Sequence, residues 1–332
     1  MKKGIVLVAN LKSQWYCENL IYSIRKSGCR LPIRLIHFGG APINSKKILD
    51  EVEFMTVDDF PEEAKVFIAN LRSVLTDCPM GFLYRFLAWF SDWDEFIYSD
   101  NDIVALMNWE RLFDYTEGYD LVHADEEYTT QGIFNYLIPN KIEELFGKGS
   151  LSTAITAGHI LIKKNPKMIA DMNAAVEWFK QYPEIPKKHD QSLLHIATQL
   201  GEWKLLNLCK PPYNWLSSWS GDYKNSLDLI QAIQGNEERR SISFRSWYAT
   251  LSDENKKQYE KQSLKEYKNA SISHLHYSGR GRLGSQPIDD LMFSSQTDEN
   301  RMMGFFKIQL ADMFYITFIK NQVNRVKRYL NR

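Results

Sequence analysis

The sequence has few cysteines and no long hydrophobic run. The four cysteines, Cys17, Cys29, Cys78 and Cys209, are scattered without a CxxC pair or any other metal-ligand spacing. We therefore expect reduced thiols, as in a cytosolic protein. The apolar run Gly4–Ala9 is too short for a signal peptide, and no segment approaches the ~20 apolar residues that span a bilayer. The expected location is the cytoplasm, with peripheral attachment to the inner face of the cell membrane as an alternative.

The chain also lacks an excess of charge of either sign. Lys plus Arg and Asp plus Glu each number 41, so the formal net charge is zero and nucleic acid is not an expected partner. Internal repeats and low-complexity tracts are absent as well. The 332 residues are 44% hydrophobic and 25% charged, which indicates a globular protein with a substantial core.

Strand and helix patterns alternate from the N terminus onward. Gly4–Ala9 (GIVLVA) predicts a buried strand, and Leu31–Phe38 (LPIRLIHF) predicts a second one. Between them, apolar residues recur on one helical face and Gly28 fits the end of the helix; these residues are Trp15, Leu20, Ile21 and Ile24. A strand, a helix and a strand in succession form a βαβ unit, which implies a parallel sheet with helices on its faces.

The same alternation continues through the middle of the chain. Further helices are predicted at Met80–Trp93, from Asn165 to about Tyr182 and at Asp190–Leu200, and further strands at Tyr119–His123, Gly158–Ile162 and Leu205–Cys209. We therefore expect an α/β fold with a mixed, mostly parallel sheet. Residues 1–284 are expected to form one domain, with a charged helical insertion around 235–270.

Residues 285–332 differ in composition from the rest and read as a polar linker followed by a C-terminal helix. Apolar and basic residues share this helix; they include Met303, Phe306, Leu310, Phe314 and Ile319, with Lys320, Arg325, Lys327 and Arg328. A basic amphipathic helix rich in Phe is typical of segments that lie on anionic membranes. Docking on the catalytic domain or in a homodimer interface explains the pattern nearly as well.

A pair of carboxylates after a strand is the most informative feature. The stretch Phe96-Ile-Tyr-Ser-Asp100-Asn-Asp102 is an apolar, β-prone run that ends in Asp-x-Asp. Open α/β sheets bind ligands at the carboxyl ends of their strands, and carboxylate oxygens suit Mg²⁺ or Mn²⁺. A plain turn is the alternative, because Asp and Asn are common turn residues.

Two further segments are candidates for ligand contact. Tyr84-Arg85 lies on the aromatic helix, where the planar guanidinium suits a carboxylate or a phosphate; a surface Arg packed on aromatic neighbours is the structural alternative. In Thr156-Ala157-Gly158-His159, small residues allow a ligand to approach the backbone closely. A tight turn explains that segment equally well.

Two more segments follow later in the chain. In His189-Asp190-Gln191, Asp190 is positioned to cap a helix, but capping does not explain Gln191, whose amide can face a ligand. The stretch from His274 to Arg282 (HLHYSGRGR) combines an imidazole ligand, glycines that can wrap an anion and two arginines. A basic loop without a special role is the alternative for it.

The order of these segments resembles the retaining glycosyltransferases of family 8, which are GT-A enzymes that use nucleotide-sugar donors. In that family Tyr-Arg on a helix precedes Asp-x-Asp, and Asn-Ala-Gly, Asp-Gln and His-x-x-Gly-x-x-Lys follow. This chain has Tyr84-Arg85, Asp100-Asn-Asp102, Thr156-Ala157-Gly158, Asp190-Gln191 and His276-Tyr-Ser-Gly279-Arg-Gly-Arg282. The match runs from about residue 4 to residue 282. Thr156 replaces the family's Asn, Arg282 replaces its Lys, and the Pro-Trp that often follows is absent.

The resemblance implies a GT-A (Rossmann-like) fold and transfer of a hexose, with retention, from a nucleotide sugar, most simply a UDP-sugar. The implied acceptor is a glycan or a lipid-linked saccharide such as a bacterial surface polysaccharide or lipooligosaccharide. The implied metal, Mn²⁺ or Mg²⁺, is bound by Asp100, Asp102 and His276, with His274 as a competitor for the last position. The implied donor-binding residues are Ala9, Asn10, Arg85, Asp100, Thr156, Ala157, Gly158, Gly279 and Arg282, and the implied catalytic residues are Gln191 and Asp190.

Two other functions compete with this one. Asp100-Asn-Asp102-Ile-Val104 also fits the Asp-x-Asp-x-[Thr/Val] signature of haloacid-dehalogenase-like phosphohydrolases. That fold carries the signature on its first strand, however, whereas a βαβ unit precedes it here. A sugar-nucleotide-binding module without catalytic activity is the third reading.

Overall fold

The computed structural model of the chain describes residues 1–124, 135–218 and 271–276. The expected insertion around 235–270, Gly279, Arg282 and the expected C-terminal helix within 285–332 lie outside the described residues. The proposed domain boundaries therefore stay predictions.

Seven strands form one twisted sheet, and two short strands form a second. In chain order the strands are β1 (Lys3–Ala9), β2 (Ile33–His37), β3 (Glu53–Met55), β4 (Glu95–Ser99), β5 (Ile103–Ala105), β6 (Leu121–His123), β7 (His159–Lys163), β8 (Leu205–Asn207) and β9 (His274–His276). The large sheet has the order β3-β2-β1-β4-β7-β6-β8, and β5 pairs with β9. Only β7 runs antiparallel to its neighbours in the large sheet, so the sheet is mixed and mostly parallel, as predicted.

Seven α-helices and four short 3₁₀ segments connect the described strands. The α-helices are α1 (Gln14–Lys26), α2 (Lys46–Leu49), α3 (Glu62–Val74), α4 (Met80–Tyr84), α5 (Asn140–Phe146), α6 (Met168–Gln181) and α7 (Asp190–Leu200). The 3₁₀ segments are Val57–Asp59, Arg85–Phe90, Trp109–Tyr115 and Ser150–Thr153. The predicted aromatic helix Met80–Trp93 is thus α4 followed by a 3₁₀ segment, and Arg85 at the junction points inward to Asp100 and Asp190.

Each face of the large sheet carries its own hydrophobic core. On β4, Phe96 and Tyr98 pack in one core with α3, α6 and α7, while Ile97 packs in the other with α1 and the 3₁₀ segment at Trp109. Both faces are therefore covered, which is why β1 and β4 read as continuous apolar runs rather than alternating ones. Polar side chains of these strands can therefore reach a cavity or solvent only where the strands end.

The end of β4 is the point where the direction of the sheet changes. β4 runs parallel to β1 on one side and antiparallel to β7 on the other. The backbone N–H of Asp100 donates to the carbonyl of Gly158 at 2.7 Å, so the carboxyl end of β4 meets the segment that leads into β7. Strand ends with such a change of order are where open α/β sheets bind ligands.

The small β5–β9 sheet brings a distant part of the chain to the same place. Ile103 on β5 is opposite His276 on β9. On its other side β5 is fixed to α1, because the buried backbone N–H of Ala105 donates to Ser23 Oγ at 2.9 Å. These contacts hold the chain just after Asp102 between α1 and β9.

The structure also describes the cysteines and the helices of the chain. All four cysteines are buried and none forms a disulfide bond. In the part of the chain that the structure describes, every helix is too short or too polar to cross a bilayer.

The contact between Ser23 and Ala105 yields a first prediction. Replacing Ser23 with Ala leaves the buried N–H of Ala105 without its acceptor, which should lower the free energy of unfolding by about 1–3 kcal/mol. Urea denaturation measures this change. Ser73→Ala is the matched control, because the Ser73 hydroxyl donates to Asn70 at the surface and its loss should cost much less. Equal stability of Ser23→Ala and the native protein would contradict the role given to this contact.

Candidate active site

A cavity of about 690 Å³ opens at the carboxyl ends of β1 and β4. Its volume lies within the range of ordinary ligand-binding pockets. Residues from separate segments line it, including Asn10, Lys12, Phe82, Asp102, Gln191 and His276. Five of the predicted segments thus contribute to one cavity: the turn after β1, the aromatic helix, the Asp pair, the start of α7 and, through His276 on β9, the segment that begins at His274.

Asp100 is held with its two carboxylate oxygens in different surroundings. Oδ1 accepts the hydroxyl hydrogen of Tyr98 at 2.6 Å and a guanidinium N–H of Arg85 at 3.1 Å. Oδ2 faces His276, whose Nε2 is 3.9 Å away. The protein therefore fixes one oxygen and leaves the other toward Asp102 and His276.

Asp100, Asp102 and His276 form a candidate metal centre. Each offers one ligand atom, and these atoms lie within 4.8 Å of one another; His276 Nε2 is 3.4 Å from Asp102 Oδ1. Two carboxylates and an imidazole form a donor set that suits Mn²⁺ and also accepts Mg²⁺. Burial and the neighbouring Asp102 charge raise the pKa of Asp100, although Arg85 and His276 oppose the shift. A divalent cation fits this cluster of negative charge.

Gly158 provides the space in which His276 lies. A Cβ atom at residue 158 would be 2.4 Å from Cε1 of the His276 ring, which is far inside van der Waals contact. The sequence predicted that small residues here let a ligand approach the backbone. In the structure the close approach is made by His276, a metal-ligand candidate of the chain itself.

His276 rather than His274 lies beside the Asp pair. The His274 ring is fully buried, stacks on His159 with ring centroids 4.0 Å apart, and has Nδ1 2.7 Å from Ser273 Oγ. The two histidines are two residues apart on β9 and therefore point to the same side of the strand, but the His274 ring packs on His159 and Ser273, whereas the His276 ring reaches Asp102. This agrees with the preference for His276 that its spacing to Gly279 suggested.

Arg85 connects three parts of the site and is itself only 2% exposed. Its Nη2 contacts Asp100, and its Nη1 lies 2.8 Å from Asp190 Oδ2 and donates to the carbonyl of Ala157 at 2.7 Å. Although burial disfavours a charged guanidinium, the two carboxylates raise the pKa of Arg85 above its ordinary value. Both terminal nitrogens are therefore directed at groups of the protein.

Asp190 is fully buried and is paired on both sides. Burial acts to raise the pKa of its carboxyl, but Arg85 and then His189 more than offset this, and the pKa is lowered. The sequence predicted that Asp190 caps α7. Instead His189 is the capping residue, and Asp190 is the first residue of the helix, turned inward to the guanidinium.

His189 is bonded to Asp190 and reaches the cavity. Its Nδ1 lies 2.6 Å from Asp190 Oδ1, while its side chain is 41% exposed. The backbone N–H of Gln191 also points at Nδ1, at 3.4 Å, but the shorter contact with a carboxylate requires a proton on Nδ1. Burial acts to lower the pKa of His189, but the Asp190 carboxylate outweighs it, so the pKa is raised.

The predicted donor-binding residues fall into three groups. Asn10, Arg85 and Asp100 line the cavity. Ala9, Thr156 and Ala157 are fully buried, and Ala157 contributes its carbonyl to Arg85. Gly279 and Arg282 lie outside the described residues. Their roles toward a donor remain predictions, as do the catalytic roles of Gln191 and Asp190, both of which line the cavity.

Sequence reasoning missed several residues of the cavity. It gave no role to Lys12, Phe82, Tyr98 or the side chain of His189, all of which line the cavity. Tyr98 carried a signal, because a tyrosine two residues before Asp100 on a strand points to the same side. Phe82 and His189 carried no such signal, because they meet only through the packing of α4 against the start of α7.

Comparisons with known proteins agree with this architecture. Residues 2–136 match the model of a protein family described as "Mannosyltransferase putative". No curated protein sequence matches the chain. Among solved structures, the chain is similar to the apo structure of the bifunctional glycosyltransferase WbbM, with a TM-score of 0.53 and 13% identity over 92% of this chain. The chain spans 51% of the WbbM chain.

Two other solved structures align over most of the chain at lower scores. They are the galactosyltransferase LgtC, with a TM-score of 0.45, 16% identity and coverage of 91% of this chain and 99% of that one, and GlyE from Streptococcus pneumoniae, with a TM-score of 0.46, 14% identity and coverage of 92% and 64%. The likeness to WbbM, together with the strand order, confirms the predicted GT-A fold. The match to the mannosyltransferase family model supports the predicted enzyme class, whereas membership of family 8 is not confirmed.

The buried Arg85 yields a second prediction. Replacing it with Met removes the guanidinium that contacts Asp100 and the fully buried Asp190, while their contacts with Tyr98 and His189 remain, and should lower the free energy of unfolding by about 3–5 kcal/mol at pH 7. Lys180→Met is the control, because Lys180 pairs with Glu177 at the surface, 2.7 Å away, and should cost less than about 1 kcal/mol. Denaturant unfolding measures both changes.

The effect of Arg85→Met should also depend on pH. In the native protein the lowered pKa of Asp190 stabilises the fold above the carboxyl's unfolded pKa, and this stabilisation is lost as the pH falls through the folded value. Without Arg85, burial raises the pKa of Asp190, so the variant takes up a proton that the native protein does not. The difference in the free energy of unfolding between the native protein and Arg85→Met should therefore become smaller from pH 7 to pH 4. A difference that stays constant over this range would argue against the pairing of Arg85 with Asp190.

Proposed function

We propose that this chain transfers a hexose from a nucleotide sugar to a glycan or lipid-linked saccharide acceptor, in a metal-dependent reaction that retains the anomeric configuration. The observation that carries the proposal is the convergence of Asp100, Asp102 and His276 with Gln191 in one cavity of a GT-A sheet. Retention comes from the family resemblance alone.

The proposed metal is Mn²⁺ or Mg²⁺, with Asp100, Asp102 and His276 as its protein ligands. When bound, a divalent cation offsets the charge that develops on a departing diphosphate. The residues of the chain prepare this site. Tyr98 and Arg85 hold one oxygen of Asp100, so the other is directed to the metal centre without reorganisation during the reaction.

The sugar is proposed to lie toward the start of α7. Asp190, kept ionised by Arg85 and His189, would accept hydrogen bonds from donor hydroxyls, and Gln191 would lie near the anomeric carbon. Asn10, in the turn after β1, would contact the nucleotide. Because the Asp190 carboxylate beside Gln191 is held by Arg85 and His189, direct front-face attack by the acceptor hydroxyl, rather than attack by a nucleophile of the protein, is the proposed route.

For the sugar and the nucleotide of the donor, we propose a small set of candidates rather than one compound. The resemblance favours a UDP-hexose, and the name of the matched family adds mannose to the candidate sugars. Release of nucleoside diphosphate from UDP-glucose, UDP-galactose and GDP-mannose, each with Mn²⁺, identifies the donor. NMR of the product determines the anomer, and an inverted product would rule out retention.

The phosphohydrolase reading and the binding-module reading are tested in the same assay. The first expects Asp100 as a nucleophile on the first strand of its fold, whereas Asp100 follows β4, in the middle of a GT-A sheet. Release of inorganic phosphate without sugar transfer would support the phosphohydrolase reading. Binding without any turnover would support the binding module.

Replacing Asp102 with Asn provides the third prediction. The variant should bind Mn²⁺ more weakly and lose at least about 100-fold in transfer rate, because the departing diphosphate loses its charge compensation. The fold should be retained, since Asp102 lies at the end of the sheet and outside both cores. Mn²⁺ electron paramagnetic resonance measures the binding, and nucleotide release measures the rate.

His276→Ala should behave in the same way as Asp102→Asn. Asp114→Asn is the matched control, because Asp114 is an exposed carboxylate that does not line the cavity. Normal Mn²⁺-dependent turnover by Asp102→Asn would refute the metal assignment.

Gln191 provides the fourth prediction. As a group near the anomeric carbon, its change to Ala should lower kcat by a larger factor than it raises the donor KM. Gln199→Ala is the control on the same helix, because Gln199 does not line the cavity. An effect confined to KM would make Gln191 a binding residue only.

A further inference from the structure

We propose that Phe82 and His189 form a subsite for a pyranose ring, which would make them specificity-determining residues of the transfer reaction. The inference rests on the proposed function, because a glycosyltransferase must hold a donor sugar and an acceptor sugar in the same cavity. Neither residue was assigned a role by the sequence, and both line the cavity next to Asp190 and Gln191.

The two rings form one surface. Their centroids are 5.9 Å apart with an angle of 57° between the planes, and Phe82 is 36% exposed. The guanidinium carbon of Arg85 lies 5.1 Å from the centroid of Phe82. Phe82 is therefore held between Arg85 and His189 while part of its ring remains accessible in the cavity.

His189 is oriented by its bond to Asp190. Because Nδ1 is directed at a fully buried carboxylate, the opposite edge of the ring, which carries Nε2, belongs to the exposed part of the side chain. The same bond fixes the proton on Nδ1 in the neutral imidazole and leaves Nε2 as an acceptor, while the imidazolium offers an N–H donor there. A hydroxyl can pair with Nε2 in either state.

A pyranose matches this pair chemically. One face of the sugar ring presents C–H groups, which pack favourably on the negative face of an aromatic ring, and its edge presents hydroxyls. Phe82 supplies the first kind of contact and His189 the second. A nucleotide base could also stack on Phe82 and pair with Nε2, so the binding measurements below compare nucleoside diphosphates with nucleotide sugars.

The chain contains a comparison pair without these features. Phe54 and His37 also have ring centroids 5.9 Å apart, and Phe54 is 37% exposed. Neither residue lines the cavity. An exposed Phe beside a His is therefore not in itself a subsite; the bond between His189 and Asp190 and the position in the cavity distinguish the proposed one.

The test uses two variants of the proposed pair with two kinds of control. His189→Phe and Phe82→Ala should each lower kcat/KM for transfer by about tenfold, as expected for the loss of one directed contact. His189→Phe also removes the bond to Asp190. His189→Gln loses the imidazole Nδ1 as well but retains a polar group near the Nε2 position, so recovery of most of the activity in this variant would assign the loss to the Nε2 contact. Phe54→Ala should match the native enzyme, and circular dichroism should verify that every variant is folded.

Binding measurements identify which sugar occupies the subsite. The probes are UDP and GDP, UDP-glucose and GDP-mannose by calorimetry with Mn²⁺, and methyl glucoside and methyl mannoside by ligand-observed NMR. Weaker binding of a nucleotide sugar with unchanged binding of its nucleoside diphosphate would assign the donor sugar. Unchanged donor binding with weaker methyl-glycoside binding or slower transfer would assign the acceptor sugar.

Native-like binding and native-like transfer in both His189→Phe and Phe82→Ala would overturn the inference and leave the proposed function intact. Absence of turnover by the native enzyme with every donor would instead count against the proposed function. In that case the binding measurements alone test the subsite, since a sugar can bind there whether or not the chain is catalytic.

Discussion

The guanidinium of Arg85 is the interaction on which the site depends. It joins the junction after α4, the end of β4 through Asp100, the approach to β7 through Ala157 and the start of α7 through Asp190. These segments are far apart in the sequence, and they meet at one planar group: Asp100 contacts Nη2, while the Ala157 carbonyl and Asp190 both contact Nη1. Arg is suited to this role because its fork of donors stays charged when buried, whereas a Lys ammonium could not hold two carboxylates and a carbonyl in fixed directions.

The change of strand direction at β4 makes this junction possible. In a fully parallel sheet the neighbour of β4 would also end at the cavity, and its start would lie at the opposite edge. Because β7 is antiparallel, its first residues reach the cavity, so the Gly158 carbonyl can bind the Asp100 N–H and the missing side chain of Gly158 can admit His276. The small size of residue 158 is therefore coupled to the candidate metal ligand on β9.

The sequence pattern predicted the long elements and the candidate metal ligands, but not how they meet. β1, α1 and α7 have strong periodicity or apolar runs; the predicted bounds of β1 and α7 agree closely with the structure, and α1 lies between β1 and Gly28 as predicted. β5 and β9 have three residues each, too few for periodicity, and their pairing depends on contacts across most of the chain. Asp190 was predicted as a cap because local sequence rewards a carboxylate at a helix start, whereas Arg85, a hundred residues away, determines its orientation.

The charged side chains that line the cavity bear on how a diphosphate can bind there. Three of its described lining residues are carboxylates, Asp100, Asp102 and Asp190, and Arg85 is already paired with two of them. Lys12 lies at the exposed rim. Asp102 and the free oxygen of Asp100 thus present negative charge where the proposed donor would bring an anionic diphosphate, and like charges in a partly buried site repel strongly. The inner cavity has the electrostatics of a cation site, so we infer that the diphosphate binds there only together with a divalent ion.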